Sequence, residues 1–364
     1  MARAGHIPKK HSEKTRYRSL RLCNDMASEG YTIVDIYAEY GELRRNPHPT
    51  SRCRDVASHG RIAARKGMIM NRSFEIVTDS CCNLTEETID RFELHVLPLT
   101  FMADGDDTVY RSYLKGRKTD LSQFYTMMRE GKVFRTSLPN LADTEKLFRS
   151  LLEQGRDILY LGFSSGLSGT YEATELLAQQ LREEYPQRKL LTVDTLSASG
   201  GQGLLVWHAC QRAEQGEGIE EVRDWTEANK LHLAHWFTVD DLMFLWRGGR
   251  VSKTSAWAGT LLNIKPVMHV DDEGHLVPLE KVRGRKKSLT ALLDHMERSS
   301  NAPIAEQTVF ITHGDCIDDA KWLENKIRER FGVEDIRINY VDPVIGAHSG
   351  PGTMALFFLA SNRD

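Results

Sequence analysis

Hydroxyl-bearing side chains cluster in short turn-like segments at several points of the sequence. The longest such motif is SSGLSGTYEAT, Ser164 to Thr174, in which Ser165 and Ser168 stand between an apolar stretch and a long amphipathic one. Free backbone N–H groups at the start of a helix favour an anion, and serine hydroxyls would add further donors. A capped helix whose glycines shape the turn is the simpler interpretation, and for this motif alone we favour it.

Three more hydroxyl-rich turns occur along the chain. RTSLPN contains Thr136 and Ser137, DTLSASGGQG runs from Asp194 to Gly203, and TDS ends at Ser80 after the first apolar stretch. Four such turns, most of them after predicted strands, are more than helix capping requires. We therefore expect them to converge on one anionic head group.

Two further segments carry side chains suited to an anion or to proton transfer. In WRGGRVSK, paired glycines permit a tight turn beside Arg250, whose planar guanidinium can donate two parallel hydrogen bonds to a carboxylate or phosphate. A solvated arginine in a surface turn is an equally good interpretation of that segment alone. In GAHSGPG we predict a loop stiffened by Pro351, from which His348 can donate to a carboxylate or phosphate, or accept its proton.

The elements that must position these residues follow a strand, turn and helix rhythm in the first half. FEIVTDS, DILYLGFSS and KLLTVDT each read as a strand that runs into a polar turn and a helix. This rhythm predicts a parallel α/β sheet with ligands at the carboxyl ends of its strands. The second half differs: MHVDDEGHLVPLEKV predicts a hairpin, and the surrounding stretches indicate a mixed α+β domain.

We predict three parts along the chain. Residues 1–72 are an extension, interpreted as a dispensable tail or mis-assigned start near Met68 or Met70, with a packed helical arm as the alternative. Residues 73–230 form the α/β domain with the hydroxyl-rich loops. Residues 231–364 form the mixed α+β domain, of which the last segment can return to pack on the first domain.

Composition limits the class of protein. The 364 residues are 40% hydrophobic and 27% charged, as in globular proteins, and the formal net charge of -3 argues against a nucleic-acid partner. No apolar run reaches about 18 residues, so we expect no integral membrane contact. Six cysteines without CxxC or zinc spacing indicate a reducing cytoplasm and no metal site. A P-loop and an HExxH motif are both absent from the sequence.

Eight motifs taken in order point to a known family. TDSCCNL, RTSLPN, SSGLSGTY, DTLSASGGQG, WRGGRVSK, LLNIKPV, KVRGRKK and AHSGPG resemble the motif set of the DegV family of bacterial fatty-acid-binding proteins, from about residue 74 to the C-terminus. Two departures stand out. Leu138 and Asn140 occupy positions of a segment that often reads TSQPS in the family, and Cys81 and Cys82 follow TDS where small residues are usual.

The resemblance implies a two-domain fold with a lipid tunnel between the domains. It implies that Thr136 and Ser168 hold the carboxylate of a long-chain fatty acid. We add Ser137 and Ser165 to the ligand set because they are hydroxyl-bearing residues of the same two turns. Arg250 and His348 would lie near the head group and assist phosphate transfer. The bound acid is the only ligand implied. A separate ATP-binding subunit of a fatty acid kinase would convert it to an acyl phosphate, so the chain would have no catalytic residue of its own.

Two other functions remain open from the sequence. A stand-alone serine hydrolase of acyl esters would use Ser168 or Ser165 as the nucleophile and His348 as the base. A Ser–His hydrogen bond backed by a carboxylate would identify it. A lipid chaperone or sensor would bind the same acid without any kinase partner.

Overall fold

The computed structural model describes residues 72–116, 121–252, 263–301 and 303–363. The predicted extension therefore lies outside the described residues except for Arg72. This arginine is buried, and its guanidinium donates to the carbonyl oxygens of Phe92 and Glu93 and pairs with Glu75 at 2.9 Å. The folded body thus extends at least to Arg72.

A parallel four-stranded sheet forms the centre of the first half. Its strand order is β2-β1-β6-β7, which confirms the parallel sheet predicted from the strand, turn and helix rhythm. The strands are β1 (Phe74–Asp79), β2 (His95–Leu97), β6 (Asp157–Gly162) and β7 (Leu190–Asp194). Because the strands run parallel, the turns after β1, β6 and β7 emerge at one edge of the sheet.

A small antiparallel sheet adjoins the parallel one. Its order is β4-β3-β5, and Phe101 of its middle strand pairs with Thr136. The strands are β3 (Thr100–Ala103), β4 (Tyr110–Arg111) and β5 (Phe134–Ser137). Phe101, Phe124 and Phe134 pack their rings against one another on this sheet, so the strand that carries Thr136 rests on an aromatic core.

The second half is built on a mixed six-stranded sheet in the order β10-β9-β8-β13-β11-β12. Its strands are β8 (Leu233–Thr238), β9 (Ile264–Val270), β10 (Leu276–Arg283), β11 (Val309–His313), β12 (Ile336–Tyr340) and β13 (Met354–Leu359). The predicted hairpin is confirmed, since β9 and β10 pair antiparallel across a turn closed by Asp271 and His275. Among the described strands of this sheet, β11 and β12 pair in parallel and the other neighbours pair antiparallel.

Amphipathic helices cover the sheets. In chain order they are α1 (Glu86–Arg91), α2 (Leu121–Arg129), α3 (Leu141–Glu153), α4 (Thr170–Glu184), α5 (Ser199–Glu214), α6 (Ile219–Asn229), α7 (Met243–Arg247), α8 (Arg285–Ser299), α9 (Ile317–Phe331) and α10 (Pro343–Ser349). Most of the residues of α5 are buried, because this helix packs against β8, β11 and β13 as well as on the first half. It joins the two halves through one apolar core.

His348 lies in the last turn of α10, so the loop predicted for it from the glycines and Pro351 was wrong. Asp342 caps this helix by accepting hydrogen bonds from the backbone N–H groups of Val344 and Ile345, and Pro343 fits its first turn. The helix ends at Ser349, and the φ of 83° at the following Gly350 favours glycine. A short capped helix therefore fixes His348 more firmly than a loop would.

The C-terminal segment contacts both halves of the molecule. Helix α10 packs against α2, β3 and β5 of the first half, whereas β13 lies inside the six-stranded sheet between β8 and β11. The six-stranded sheet begins at Leu233, close to the predicted division near residue 230. That division stays a proposal, since α5 and α10 cross between the two sheets.

Candidate ligand-binding site

A cavity of about 220 Å³ lies between the two halves. Five of the six residues predicted to form the head-group site line it: Thr136, Ser137, Ser168, Arg250 and His348. They arrive from β5, the turn before α4, the segment after α7, and α10. Residues far apart in the sequence therefore share one surface.

Thr136 and His348 make the most direct contact within this group. The hydroxyl of Thr136 lies 2.8 Å from Nε2 of His348. Burial, together with the charge of Arg250, lowers the pKa of His348 to about 4, so the ring is neutral near pH 7. A neutral imidazole can either accept the threonine proton or donate its own, and the pair can reorient towards an anion.

Ser168 occupies the turn that precedes α4. Its hydroxyl lies 2.9 Å from that of Thr170 and accepts a hydrogen bond from the Thr170 backbone N–H at 3.3 Å. The turn is fixed from the other half of the molecule, because the Ser164 hydroxyl donates to the carbonyl oxygen of Gly274 at 2.9 Å. Ser168 therefore satisfies a backbone N–H at the start of the helix and also faces the cavity. Helix capping and ligand binding, the two interpretations of this motif, are therefore compatible.

Ser165 was predicted to belong to the ligand set, but it is not among the residues that line the cavity. Its backbone N–H donates to Asp194 Oδ1 at 3.2 Å, and the same oxygen accepts from the backbone N–H of Leu196 at 3.1 Å. These bonds tie the first residues of the turn to the end of β7. As a result Ser168 reaches the cavity and Ser165 does not.

Arg250 is a half-buried cation that lines the same cavity as Thr136 and His348. It follows the turn at Gly248 and Gly249, where Gly249 has a φ of 74°, and its guanidinium donates to the Gly248 carbonyl oxygen. Burial lowers its pKa. No carboxylate within the described ranges forms an ion pair with it, so an anionic ligand would satisfy its charge.

The rest of the cavity is mainly apolar. Its hydrophobic lining comes from both halves of the molecule and consists of Leu99, Leu138, Phe163, Leu167, Ala198, Phe237, Leu245, Val270, Leu276, Val341, Val344, Ile345, Ala355 and Phe357. A polar group set at one place on an apolar wall suits an amphiphile with a single anionic head. Leu138, at one of the positions where the sequence departs from the family motif, is part of this wall.

Sequence reasoning missed the lining residues Thr312 and His235, whereas Ser199 belongs to the hydroxyl-rich turn Asp194 to Gly203 that was expected at the site. Ser199, Thr312 and His235 all line the cavity; the Ser199 hydroxyl bonds that of Thr312 at 2.9 Å and donates to Asn83 Oδ1 at 2.7 Å. Burial lowers the pKa of His235 well below its usual value, which keeps its ring neutral. The available signal was a polar residue inside an apolar strand, LAHWFT for His235 and VFITH for Thr312.

The TDS turn does not reach the cavity, so the prediction that all four hydroxyl-rich turns converge was wrong in this part. Thr78 donates to the carbonyl oxygen of Leu161, while Asp79 accepts from the backbone N–H groups of Cys81 and Phe163. Burial raises the pKa of Asp79 to about 6. Cys81 packs behind the lining residues Leu99 and Phe163, so this turn supports the site from behind.

Within the ranges that the structure describes, the hydrogen bonds of His348 and Ser168 do not form a serine hydrolase triad. Nε2 of His348 bonds Thr136, and the hydroxyl of Ser168 bonds Thr170. Among the described residues, no cluster of three or more histidine, cysteine or acidic side chains could hold a metal ion. No helix in the described part of the chain is both long and apolar enough to cross a bilayer.

The chain is similar to proteins of one known family. Residues 73–361 match the family described as "Uncharacterised protein, DegV family". A DegV domain-containing protein of Clostridium perfringens is 42% identical over 293 residues, which cover 80% of this chain and 99% of that protein.

Solved structures show the same fold. A DegV family protein from Thermus thermophilus, described by its fatty acid binding, has a TM-score of 0.70 at 30% identity, covering 79% of this chain and 99% of its own. A DegV lipid-binding protein from Thermotoga maritima has a TM-score of 0.70 at 28% identity, covering 80% and 100%. The predicted two-domain α/β fold is thereby confirmed, and the chain belongs to the DegV family.

Proposed function

We propose that this protein binds a long-chain fatty acid and presents its carboxylate to a separate, ATP-dependent fatty acid kinase subunit. The observation that carries the proposal is one cavity with an apolar wall that also contains Arg250, to which no described carboxylate is paired, together with Thr136 and Ser168. Fatty acid binding by the structural relative from Thermus thermophilus supports the same ligand class.

The two parts of the ligand would contribute differently to binding. Each CH₂ group that leaves water for the apolar wall contributes about 0.8 kcal/mol, so the alkyl chain supplies most of the affinity. The hydroxyls of Thr136 and Ser168, with Arg250, prevent an unpaired buried carboxylate and determine where it lies. Ser137, which also lines the cavity, is a further donor in this proposal.

The chemical step needs a phosphate donor that this chain does not supply. In the proposed reaction, a carboxylate oxygen forms a bond to the γ-phosphorus of ATP on the kinase subunit. The bond from that phosphorus to the β–γ bridging oxygen breaks, and ADP leaves without release of a proton. Arg250 would stabilise the added negative charge, and His348 would donate a hydrogen bond to the head group. A cytoplasmic location, where ATP is abundant, is part of this proposal.

The experiment begins with the ligand. Mass spectrometry of lipid extracted from the purified protein should identify a long-chain fatty acid, and calorimetry should measure its affinity. Thr136→Ala and Ser168→Ala should weaken binding, and Ser150→Ala, the same kind of change on an exposed face of α3, serves as the control.

The kinase role is tested separately. With a fatty acid kinase ATP-binding subunit and ATP, the acyl phosphate is trapped as its hydroxamate; Arg250→Ala and His348→Ala should lower this turnover more than they lower binding. Binding without any acyl phosphate would reject the kinase role and leave the chaperone or sensor alternative. The absence of a fatty acid from the extract and from calorimetry would reject the whole proposal.

A further inference from the structure

A second cavity, of about 370 Å³, adjoins the first and shares Thr136, Arg250 and His348 with it. We call it the basic basin; its other lining residues are Asp104, Met128, Lys132, Val133, Phe134, Arg135, Phe244, Arg247, Gly248 and Ala347. The first cavity has a mainly apolar lining, whereas the basin has charged side chains. The three shared residues therefore form the boundary between an apolar and a charged compartment.

The charges of the basin are unbalanced. Lys132, Arg135, Arg247 and Arg250 stand against one carboxylate, that of Asp104, which gives a formal charge of +3. Asp104 already pairs with Arg135 at 2.7 Å. The other three cations form no ion pair with a carboxylate in the described parts of the chain, and Arg247 lies over the Phe244 ring at 4.6 Å.

We propose that the basic basin is a phosphate subsite that holds the phosphate of an acyl phosphate while the alkyl chain stays in the apolar cavity. The proposal rests on the proposed function and extends it from the acid to its phosphorylated form. It assigns Lys132 and Arg247 as residues that recognise the phosphate, in addition to Arg250 at the boundary.

The position and the charge of the basin both fit this ligand. A carboxylate held at Thr136 has one negative charge, and Arg250 alone can neutralise it. Phosphorylation places a dianionic group beyond the carboxylate oxygen, on the side of the boundary where the additional cations lie. Lys132 and Arg247 are exposed, so each should contribute the modest amount typical of solvent-exposed ion pairs. An acidic segment of a partner protein is the competing occupant.

The test compares ligands that differ only at the head. The probes are hexadecanoic acid, the β-ketophosphonate in which CH₂ replaces the bridging oxygen of hexadecanoyl phosphate, and the methyl ketone that lacks the phosphonate. Calorimetry on the full chain, stripped of lipid, gives the dissociation constant of each. We expect the phosphonate to bind at least as tightly as the acid and more tightly than the ketone.

Charge variants then locate the phosphonate. Lys132→Gln and Arg247→Gln should each weaken phosphonate binding about two- to fivefold, more than they weaken binding of hexadecanoic acid. Lys321→Gln removes an exposed lysine of α9 that lines neither cavity, and it should leave the ratio of the two affinities unchanged. A circular dichroism melt of each variant verifies folding.

The outcomes separate this proposal from the one it extends. If hexadecanoic acid binds but the phosphonate does not bind better than the ketone, the phosphate subsite is rejected and fatty acid binding stands. Equal losses for acid and phosphonate in both charge variants would also reject it. Competition by inorganic phosphate against the phosphonate, but not against the acid, would support the subsite and show that the phosphate group alone is recognised. If no ligand with an alkyl chain binds, the proposed function itself fails.

Discussion

Thr136 and His348 stand 212 positions apart in the sequence, yet the threonine hydroxyl and the imidazole Nε2 are 2.8 Å apart. This hydrogen bond links a strand of the first half to a helix of the C-terminal segment. Both residues also line the apolar cavity and the basic basin. A change in the position of either residue should therefore affect both compartments.

Removal of a head-group hydroxyl should weaken the binding of acids selectively. Thr136→Val keeps the shape of the side chain and removes its donor, and Ser168→Ala does the same at the other donor. Hydrogen bonds to a charged group contribute about 1.5–3 kcal/mol, so each variant should lose roughly one to two orders of magnitude in affinity for hexadecanoic acid. Binding of hexadecan-1-ol, which has no carboxylate, should change much less, as measured by calorimetry. Equal losses for both ligands would contradict the assignment.

Gly248 should control the position of His348. A Cβ at Gly248 would lie 2.2 Å from His348 Nδ1, and the three atoms nearest to it all belong to the imidazole ring. The φ of -72° is one that alanine adopts readily, so Gly248→Ala should press on this ring. We expect this variant to displace the ring from Thr136 and to shift the His348 resonances in NMR spectra. The rate of acyl phosphate formation with the kinase subunit should also be lower in this variant.

Gly218→Ala is the matched control for this change. Gly218 has a φ of -74° and lies outside both cavities, and a Cβ there would meet only Glu221 at an ordinary 3.5 Å. The His348 resonances of the Gly218→Ala variant should match those of the wild type. The same spectrum for both alanine variants would show that Gly248 does not position the histidine.

Replacement of Arg250 should stabilise the ligand-free protein while it weakens binding. The guanidinium is half-buried without a carboxylate partner among the described residues, which is an unfavourable state for a charge. Arg250→Met should therefore increase the free energy of unfolding of the lipid-free chain by on the order of 1 kcal/mol. Its melting temperature should rise accordingly. The additional increase in melting temperature that hexadecanoic acid causes should be smaller in the variant than in the wild type. A lower melting temperature of the lipid-free variant would contradict this account.

The buried carboxyl of Asp342 should make stability depend on pH. Burial is the main cause that raises its pKa from 3.8 to about 6, and neighbouring Asp79 raises it further. The folded state thus binds the proton more tightly than the unfolded state. The resulting stabilisation is fully present below the unfolded pKa and is lost as the pH rises through about 6.

Urea unfolding of the wild type and Asp342→Asn checks this sign. Between about pH 7 and about pH 5, the free energy of unfolding of the wild type should rise relative to that of the variant by roughly 1 kcal/mol. The histidines whose pKa is lowered by burial, such as His313, are present in both proteins, so their opposite contribution cancels in the difference. Parallel pH profiles would show that Asp342 does not titrate in this range.

Local patterns in the sequence were sufficient for the type of fold. The strand, turn and helix rhythm predicted the parallel sheet, and Asp-Glu-Gly predicted the hairpin between β9 and β10, because both signals depend on residues close in the chain. The order of eight short motifs identified the family. The same local reasoning placed His348 in a loop, since it weighed the glycines and Pro351 above the cap formed by Asp342 and Pro343.

The composition of the site depended on packing between distant segments. The sequence alone determined which side chains have the chemistry to bind a carboxylate or phosphate. It predicted four of them as residues of one site: Thr136, Ser168, Arg250 and His348. Only the tertiary structure decided that Ser168 faces the cavity while Ser165 is tied to β7, and that no described carboxylate neutralises Arg250. It also brought Thr312 and His235 into the lining from apolar strands. Residue type is read directly from the chain, whereas the direction of a side chain and its charged neighbours depend on contacts across hundreds of residues, which local patterns do not encode.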